Sequence, residues 1–146
     1  MKRGLVWFRN DLRIRDNESL HQAIKECDEV FPVYVLDPRI FRKLSIGFDK
    51  TGHYRARFLC ESLNNLNVHL IETGSGLIFR EGHPEEVIPE LMNEWNIQVV
   101  YSSKESAPEE TAVENKLETS LNERKVMYET SWQHTLFHEA DVPWPI

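Results

Sequence analysis

Cysteine is nearly absent. Cys27 and Cys60 are the only two in 146 residues, and two thiols supply neither a disulfide framework nor a four-ligand metal site. A reducing compartment such as the cytoplasm is therefore expected. Long apolar runs are missing as well. Nothing approaches the roughly 18 residues of a membrane span, and Lys2 and Arg3 lead into only five apolar residues, 4–8, too few for a signal peptide. No membrane partner is expected. Glycine is sparse, at six residues, and no G-x-G-x-x-G or G-x-x-x-x-G-K-[ST] pattern occurs, which removes the usual phosphate loops. The one superficial candidate, TGSG at 73–76, precedes a strand pattern and reads better as a helix end with Gly74 just past it. Positive charge is in deficit too: 17 basic against 24 acidic side chains, for a net charge of -7. Such a chain has no electrostatic footprint for wrapping DNA by itself.

What is present is an ordinary globular composition, 40% hydrophobic and 28% charged, in a length that makes one domain. Five strand-like runs, at 4–9, 30–36, 76–80, 97–102 and 125–131, alternate with four helical patterns. The first, second and fourth runs are almost continuously apolar, as parallel strands covered on both faces are. Leu20, Ala23, Ile24 and Cys27 mark the first helix face; Tyr54, Phe58, Leu59, Leu63 and Leu66 the second. Val87, Ile88, Leu91, Met92 and Trp95 mark the third, and Val113, Leu117 and Leu121 the fourth. Asn17 or Ser19 can cap the first helix, and Pro84 and Pro108 suit first turns. Pro89 should kink the third helix or shorten its first turn. The alternation predicts an α/β, Rossmann-like fold: a five-stranded parallel sheet of order 3-2-1-4-5 with helices on both faces.

Two segments stand outside that pattern. The 37–52 connection is long for a strand-to-helix loop and is functional or mobile by that measure. The tail from 132 to 146 carries large apolar residues without periodicity and reads as the start of a linker, so the α/β domain is assigned to 1–131. Both cysteines lie on or near apolar helix faces and read as buried, inert thiols. His134 and His138 are four apart, but no carboxylate-rich helix frames them, and no metal is expected.

In an open parallel sheet, ligands bind beyond the carboxyl ends of the strands, where strand order reverses. The order 3-2-1-4-5 puts that point between strands one and four, at RNDLRIRDN (9–17) and SSKESAPEE (102–110). Lys104, Glu105, Glu109 and Glu110 are the candidate ligand-binding side chains there. The alternating charges Arg9, Asp11, Arg13 and Asp16 suit a charge-paired docking surface for another domain. Read blandly, Glu109 and Glu110 only complement a helix dipole, and Asp16 or Asn17 only caps a helix.

These residues carry a likeness. LVWFRNDLRIRDNESL (5–20) resembles the amino-terminal signature of the cryptochrome/photolyase family, a strand followed by W-F-R-x-D-L-R and then D-N before the first helix. FPVYVLDPR (31–39), KTGHYRARFLCESLNNL (50–66) and GLIFREGHPEEVIPEL (76–91) extend it. The tail TLFHEADVPW (135–144) resembles the DASH branch of cryptochromes more than the classical photolyases. The resemblance implies an amino-terminal α/β domain that carries or lies against an antenna chromophore, usually a folate such as 5,10-methenyltetrahydrofolate. It also implies a separate carboxy-terminal helical domain that binds FAD and damaged DNA. Nothing in this chain matches that second domain, so FAD and DNA are expected only through it.

In the intact blue-light protein, antenna energy would pass to FAD for pyrimidine-dimer repair by a lyase-type reaction or for photoreception. No residue of this chain is expected to make or break bonds. One departure is visible. Where folate-binding photolyases tend to have Asn-Glu at the start of the fourth helix, this chain has Pro108-Glu109 followed by Glu110, losing an amide and keeping a carboxylate. The alternatives are a stand-alone nucleotide-binding or subunit-docking module of the same fold, which should show a glycine-rich phosphate loop, and a purely structural docking domain.

Overall fold

A computed structural model describes residues 1–133 together with Thr135 and Asp141. Five strands, β1 (Arg3–Phe8), β2 (Glu29–Leu36), β3 (Ile78–Glu81), β4 (Val99–Ser103) and β5 (Met127–Ser131), alternate with four helices. These are α1 (Glu18–Glu26), α2 (His53–Glu72), α3 (Pro84–Trp95) and α4 (Pro108–Glu123). All strand pairs are parallel, in the order β3-β2-β1-β4-β5, as the alternation of apolar strands and amphipathic helices predicts. The strand boundaries move by no more than two residues.

The pleat divides each central strand between two cores. Leu5 and Trp7 of β1, Val33 and Val35 of β2 and Val100 of β4 meet Ile88, Leu91 and Met92 of α3 and Leu117 and Leu121 of α4. Val6 and Phe8, Tyr34, and Val99 and Tyr101 meet Leu20 and Ala23 of α1 and Leu66 and Leu70 of α2 on the other face. Both faces are therefore covered, and a one-residue slip of β1 would exchange its entire side-chain set.

Helix ends follow local chemistry. The Asn17 side chain caps α1 by accepting from the Leu20 amide at 3.0 Å. Pro84 and Pro108 open α3 and α4, where a missing N–H costs nothing. Gly74 at φ 83° lies just past α2, so TGSG is a helix terminus and not a phosphate loop.

Several expectations need correction. Pro89 does not shorten α3: it is buried beside Ile88, and the helix runs continuously from Pro84 to Trp95. Ile24 is exposed, as are Tyr54 and Phe58, which therefore do not belong to the α2 core face. For α2 the cause is length. Twenty residues of helix span about 30 Å, more than the strands beneath, so the first turns of α2 overhang the sheet's carboxyl edge. Cys60 is exposed on the same helix, and Cys27 is only partly buried. The tail residues Phe137, Val142, Trp144 and Ile146, and both His134 and His138, lie outside the described residues.

Candidate functional site

The polar stretch after β1 is divided: Arg9, Asp11 and Asn17 turn inward, while Asn10, Arg13, Arg15 and Asp16 are exposed. Arg9 and Glu114 form an ion pair whose side chains are only 7% and 8% exposed. Arg9 also donates to the carbonyls of Ser103 (3.3 Å) and Glu110 (3.4 Å), and its guanidinium lies 4.5 Å from the Trp7 ring centroid. Glu114 in turn accepts from the Glu105 amide at 2.8 Å. One buried pair thus joins β1, the β4–α4 turn and α4. Asp11 is 1% exposed and accepts from the Arg9 amide at 3.0 Å and from Asn17 Nδ2 at 3.1 Å. As docking charges, Arg9 and Asp11 are therefore corrected, because both serve internal contacts. Arg13 and Asp16 remain on the surface, where Arg13 Nε donates to the Asp16 carbonyl at 3.1 Å.

Above this layer a crevice of about 420 Å³ opens at the carboxyl edge of the sheet. Its lining includes Trp7, Phe8 and Tyr34 from the ends of β1 and β2, and Phe58 of α2. Burial pushes the Tyr34 hydroxyl up to about 12, with Asp37 nearby acting in the same direction, so that ring is a neutral surface. The opposite wall is α4, with Glu109, Glu110, Val113 and Lys116. The crevice lies where β1 turns towards β2 on one side and towards β4 on the other, which is the reversal point expected of this topology.

The 37–52 connection forms the remaining side. It begins as a 3-10 turn, Pro38–Phe41, and folds back as a small hairpin in which Lys43 bridges Asp49. The Leu44 amide donates to Phe48 O at 2.8 Å, and the Lys50 amide to Arg42 O at 3.0 Å. Two ion-pair groups tie it down. Arg39 grips Glu85 of α3 with two bonds, at 2.8 and 2.9 Å, while its Nε contacts Asp37 at 2.8 Å. Burial works to raise the Asp37 and Glu85 carboxyls, but the Arg39 bonds outweigh it and hold both below the ordinary carboxylate range. At the rim, Glu109 accepts from Lys50 and from Arg42, the latter at 2.8 Å. The Lys50 bond, followed by the charges of Lys50 and Arg42, lowers the Glu109 carboxyl as well.

Of the four residues expected to bind a ligand, the structure brings Glu109 and Glu110 to the crevice and leaves out Lys104 and Glu105. Lys104 lies over the Trp132 ring at 5.6 Å. Glu105 accepts from Asn10 Nδ2 at 2.8 Å, and its amide is held by Glu114. The β4–α4 turn is pulled towards Arg9 and Glu114, which separates its first residues from the α4 wall. No cluster of three or more metal-ligating side chains exists among the described residues, and none of the described helices is long and apolar enough to cross a membrane.

A family model for DNA photolyase matches residues 4–144. The chain belongs to the DNA photolyase family. It is 46% identical to the blue-light photoreceptor PHR2 of Arabidopsis thaliana over 98% of its own length, and 45% identical to a cryptochrome DASH of Gloeobacter violaceus over 99%. A Synechocystis cryptochrome matches its fold at a TM-score of 0.95 with 39% identity, across 99% of this chain and 30% of that one. An archaeal photolyase from Sulfolobus tokodaii, solved with two FAD molecules and interpreted as implying a novel light-harvesting cofactor, matches at a TM-score of 0.86 with 25% identity. The chain spans about 30% of the length of these relatives.

For a photolyase-family domain, the crevice residues that sequence reasoning missed are Arg39, Arg42, Lys50 and Arg55, all lining the site. Three of them sit in the 37–52 connection, which its length marks as functional or mobile without singling out residues. Its four cations at 39, 42, 43 and 50 were the available signal.

Proposed function

We propose that the crevice holds the antenna chromophore of a light-absorbing photolyase or cryptochrome DASH, most simply a folate such as 5,10-methenyltetrahydrofolate. The chain then serves as the antenna-side domain, placing that chromophore at fixed distance and orientation from a flavin. FAD and DNA are engaged through a carboxy-terminal helical domain, and the exposed Arg13 and Asp16 belong to the surface that meets it. The observation that carries this reading is the crevice itself, open at the strand-order reversal with Tyr34 and Phe58 in its lining and Glu109 on its α4 wall. A pterin ring suits both parts, since it is planar and presents adjacent N–H donors that one carboxylate accepts side by side. The Sulfolobus photolyase, solved with two FAD molecules and interpreted as implying a novel light-harvesting cofactor, supports a second chromophore for a member of this fold. Bound there, the group absorbs light and transfers energy. This chain's residues only hold it, orient it and keep water from its face.

Titration of the purified chain with 5,10-methenyltetrahydrofolate, read by quenching of tryptophan emission, tests the reading. Glu109→Gln is expected to weaken binding about tenfold, the scale of one charge-assisted hydrogen bond. Full affinity in both Glu109→Gln and Glu110→Gln rules out the carboxylate clamp and leaves these glutamates as helix-dipole partners.

A further inference from the structure

Both oxygens of Glu109 are taken. Oε1 accepts from Arg42 at 2.8 Å, and Oε2 accepts from Lys50. Those two cations are the feet of one small hairpin. Between them the Lys50 amide donates to Arg42 O at 3.0 Å, the Leu44 amide to Phe48 O at 2.8 Å and the Gly47 amide to Leu44 O at 2.9 Å. The unit closes on itself and has little apolar footing, since Ile46 is 72% and Phe48 71% exposed. Among the described residues, the bonds to Glu109 are the only hydrogen bonds or ion pairs that join 42–50 to an α-helix or a strand of the sheet.

The base of the 37–52 connection is anchored differently. There Arg39 holds Asp37 and Glu85, whose carboxylates are mostly shielded from water, and salt screens such pairs little. The hairpin's hold is open to solvent: Arg42 and Glu109 are each more than half exposed, the kind of pair that contributes least and is screened most. A firm base with a labile foot makes a hinged flap. Its feet line the crevice together with Glu109 on the α4 wall, so the latch ties one side of the crevice to the other.

We infer that the 42–50 hairpin is an autoinhibitory strap: latched to Glu109, it bridges the crevice and occupies the carboxylate that a ligand needs. This rests on the chromophore reading of the crevice and adds to it how the site is regulated. A ring edge that donates two N–H groups side by side calls on both Glu109 oxygens, and in the latched state it competes with a cation at each. Binding therefore draws on the fraction of molecules in which the latch is open. The apparent affinity is the intrinsic affinity multiplied by that fraction. Weakening the latch strengthens binding. Cations that held the ligand directly would give the opposite sign, because their removal would weaken it.

Equilibrium dialysis of pterin, a ring without a charged arm, tests this on the purified chain. The wild type is compared with the Arg42→Gln/Lys50→Met double variant at about 0.01 M and about 1 M sodium chloride, between which the screening length falls from about 30 to about 3 Å. Circular dichroism verifies that the fold is retained. At low salt the double variant is expected to bind about threefold to tenfold more tightly, the scale of two exposed ion pairs. At high salt the ratio of variant to wild-type affinity should fall towards one, and taking the ratio removes any effect of salt on the ring itself. Without ligand, the amide resonances of 43–49 should move together with salt in the wild type, towards their positions in the double variant, and stay in place in the variant. Equal or weaker pterin binding by the double variant at low salt overturns the strap and leaves the chromophore reading standing. Binding to neither protein overturns that reading, and the resonances then decide the strap alone: positions that ignore salt in the wild type overturn it as well, and a collective shift supports it.

Discussion

Glu114→Ala is expected to destabilise the domain by about 3–5 kcal/mol, the cost of stranding one member of a buried ion pair. The substitution leaves Arg9 among Trp7, Ser103 and Glu110 with a guanidinium that is 7% exposed and has no counter-charge. It also removes the acceptor of the Glu105 amide. Urea unfolding with an unchanged m-value measures the loss as a shift in midpoint. Arg9→Met combined with Glu114→Leu should be much less damaging than either change alone, because an apolar pair of similar volume carries no uncompensated charge. A loss below about 1 kcal/mol for Glu114→Ala shows instead that the pair behaves as an exposed one. The same variant connects stability to the site. The pair ties the β4–α4 turn to β1, and that turn leads directly into the helix end carrying Glu109. Loosening it should weaken crevice binding even where the fold survives.

How far the sequence led depends on the kind of signal involved. The sheet order was legible because three strands are almost wholly apolar and four helices show their buried faces, so burial and topology point the same way. The position of the crevice was legible from topology alone, since strand-order reversal locates it whatever the side chains do. The use made of individual charges was not. Arg9 and Asp11 look like surface residues in a polar stretch, and only the approach of α4 to β1 turns Arg9 into a buried partner. A hint existed in α4, where Glu114, Leu117 and Leu121 follow each other at i, i+3, i+7 and are all buried. The i, i+4, i+8 series through Val113 drew attention to one neighbour of that face and passed over the glutamate on it. The overhang of α2 was also hidden. Tyr54 and Phe58 share the helix's apolar spacing, but whether a sheet lies beneath them depends on strand lengths, which local periodicity does not carry.

Asn17 supplies the second large effect, because one side chain serves both a helix cap and a buried carboxylate. Its Oδ1 accepts from the Leu20 amide at 3.0 Å. Its Nδ2 donates to Asp11 Oδ2 and to the Arg13 carbonyl, each at 3.1 Å. The amide therefore clamps the whole turn between β1 and α1, in which Asp16 holds a left-handed backbone at φ 50°. Asn17→Ala is expected to lose about 1 kcal/mol from the cap and a further 1–3 kcal/mol or so from leaving the Asp11 carboxylate, 1% exposed, without its side-chain donor. Asn17→Asp separates the two contributions. An aspartate preserves the capping oxygen but replaces the donor facing Asp11 with a second carboxylate, and like charges in one buried site repel. It should therefore be at least as damaging as alanine, although aspartate ranks with asparagine at helix N-caps. Stability near that of the unsubstituted chain in Asn17→Asp would show that the cap is the whole contribution and that Asp11 needs no donor from this residue. The expected outcome makes Asp11 and Asn17 a single unit, shaping the turn from inside while Arg13 and Asp16 are left to face outward.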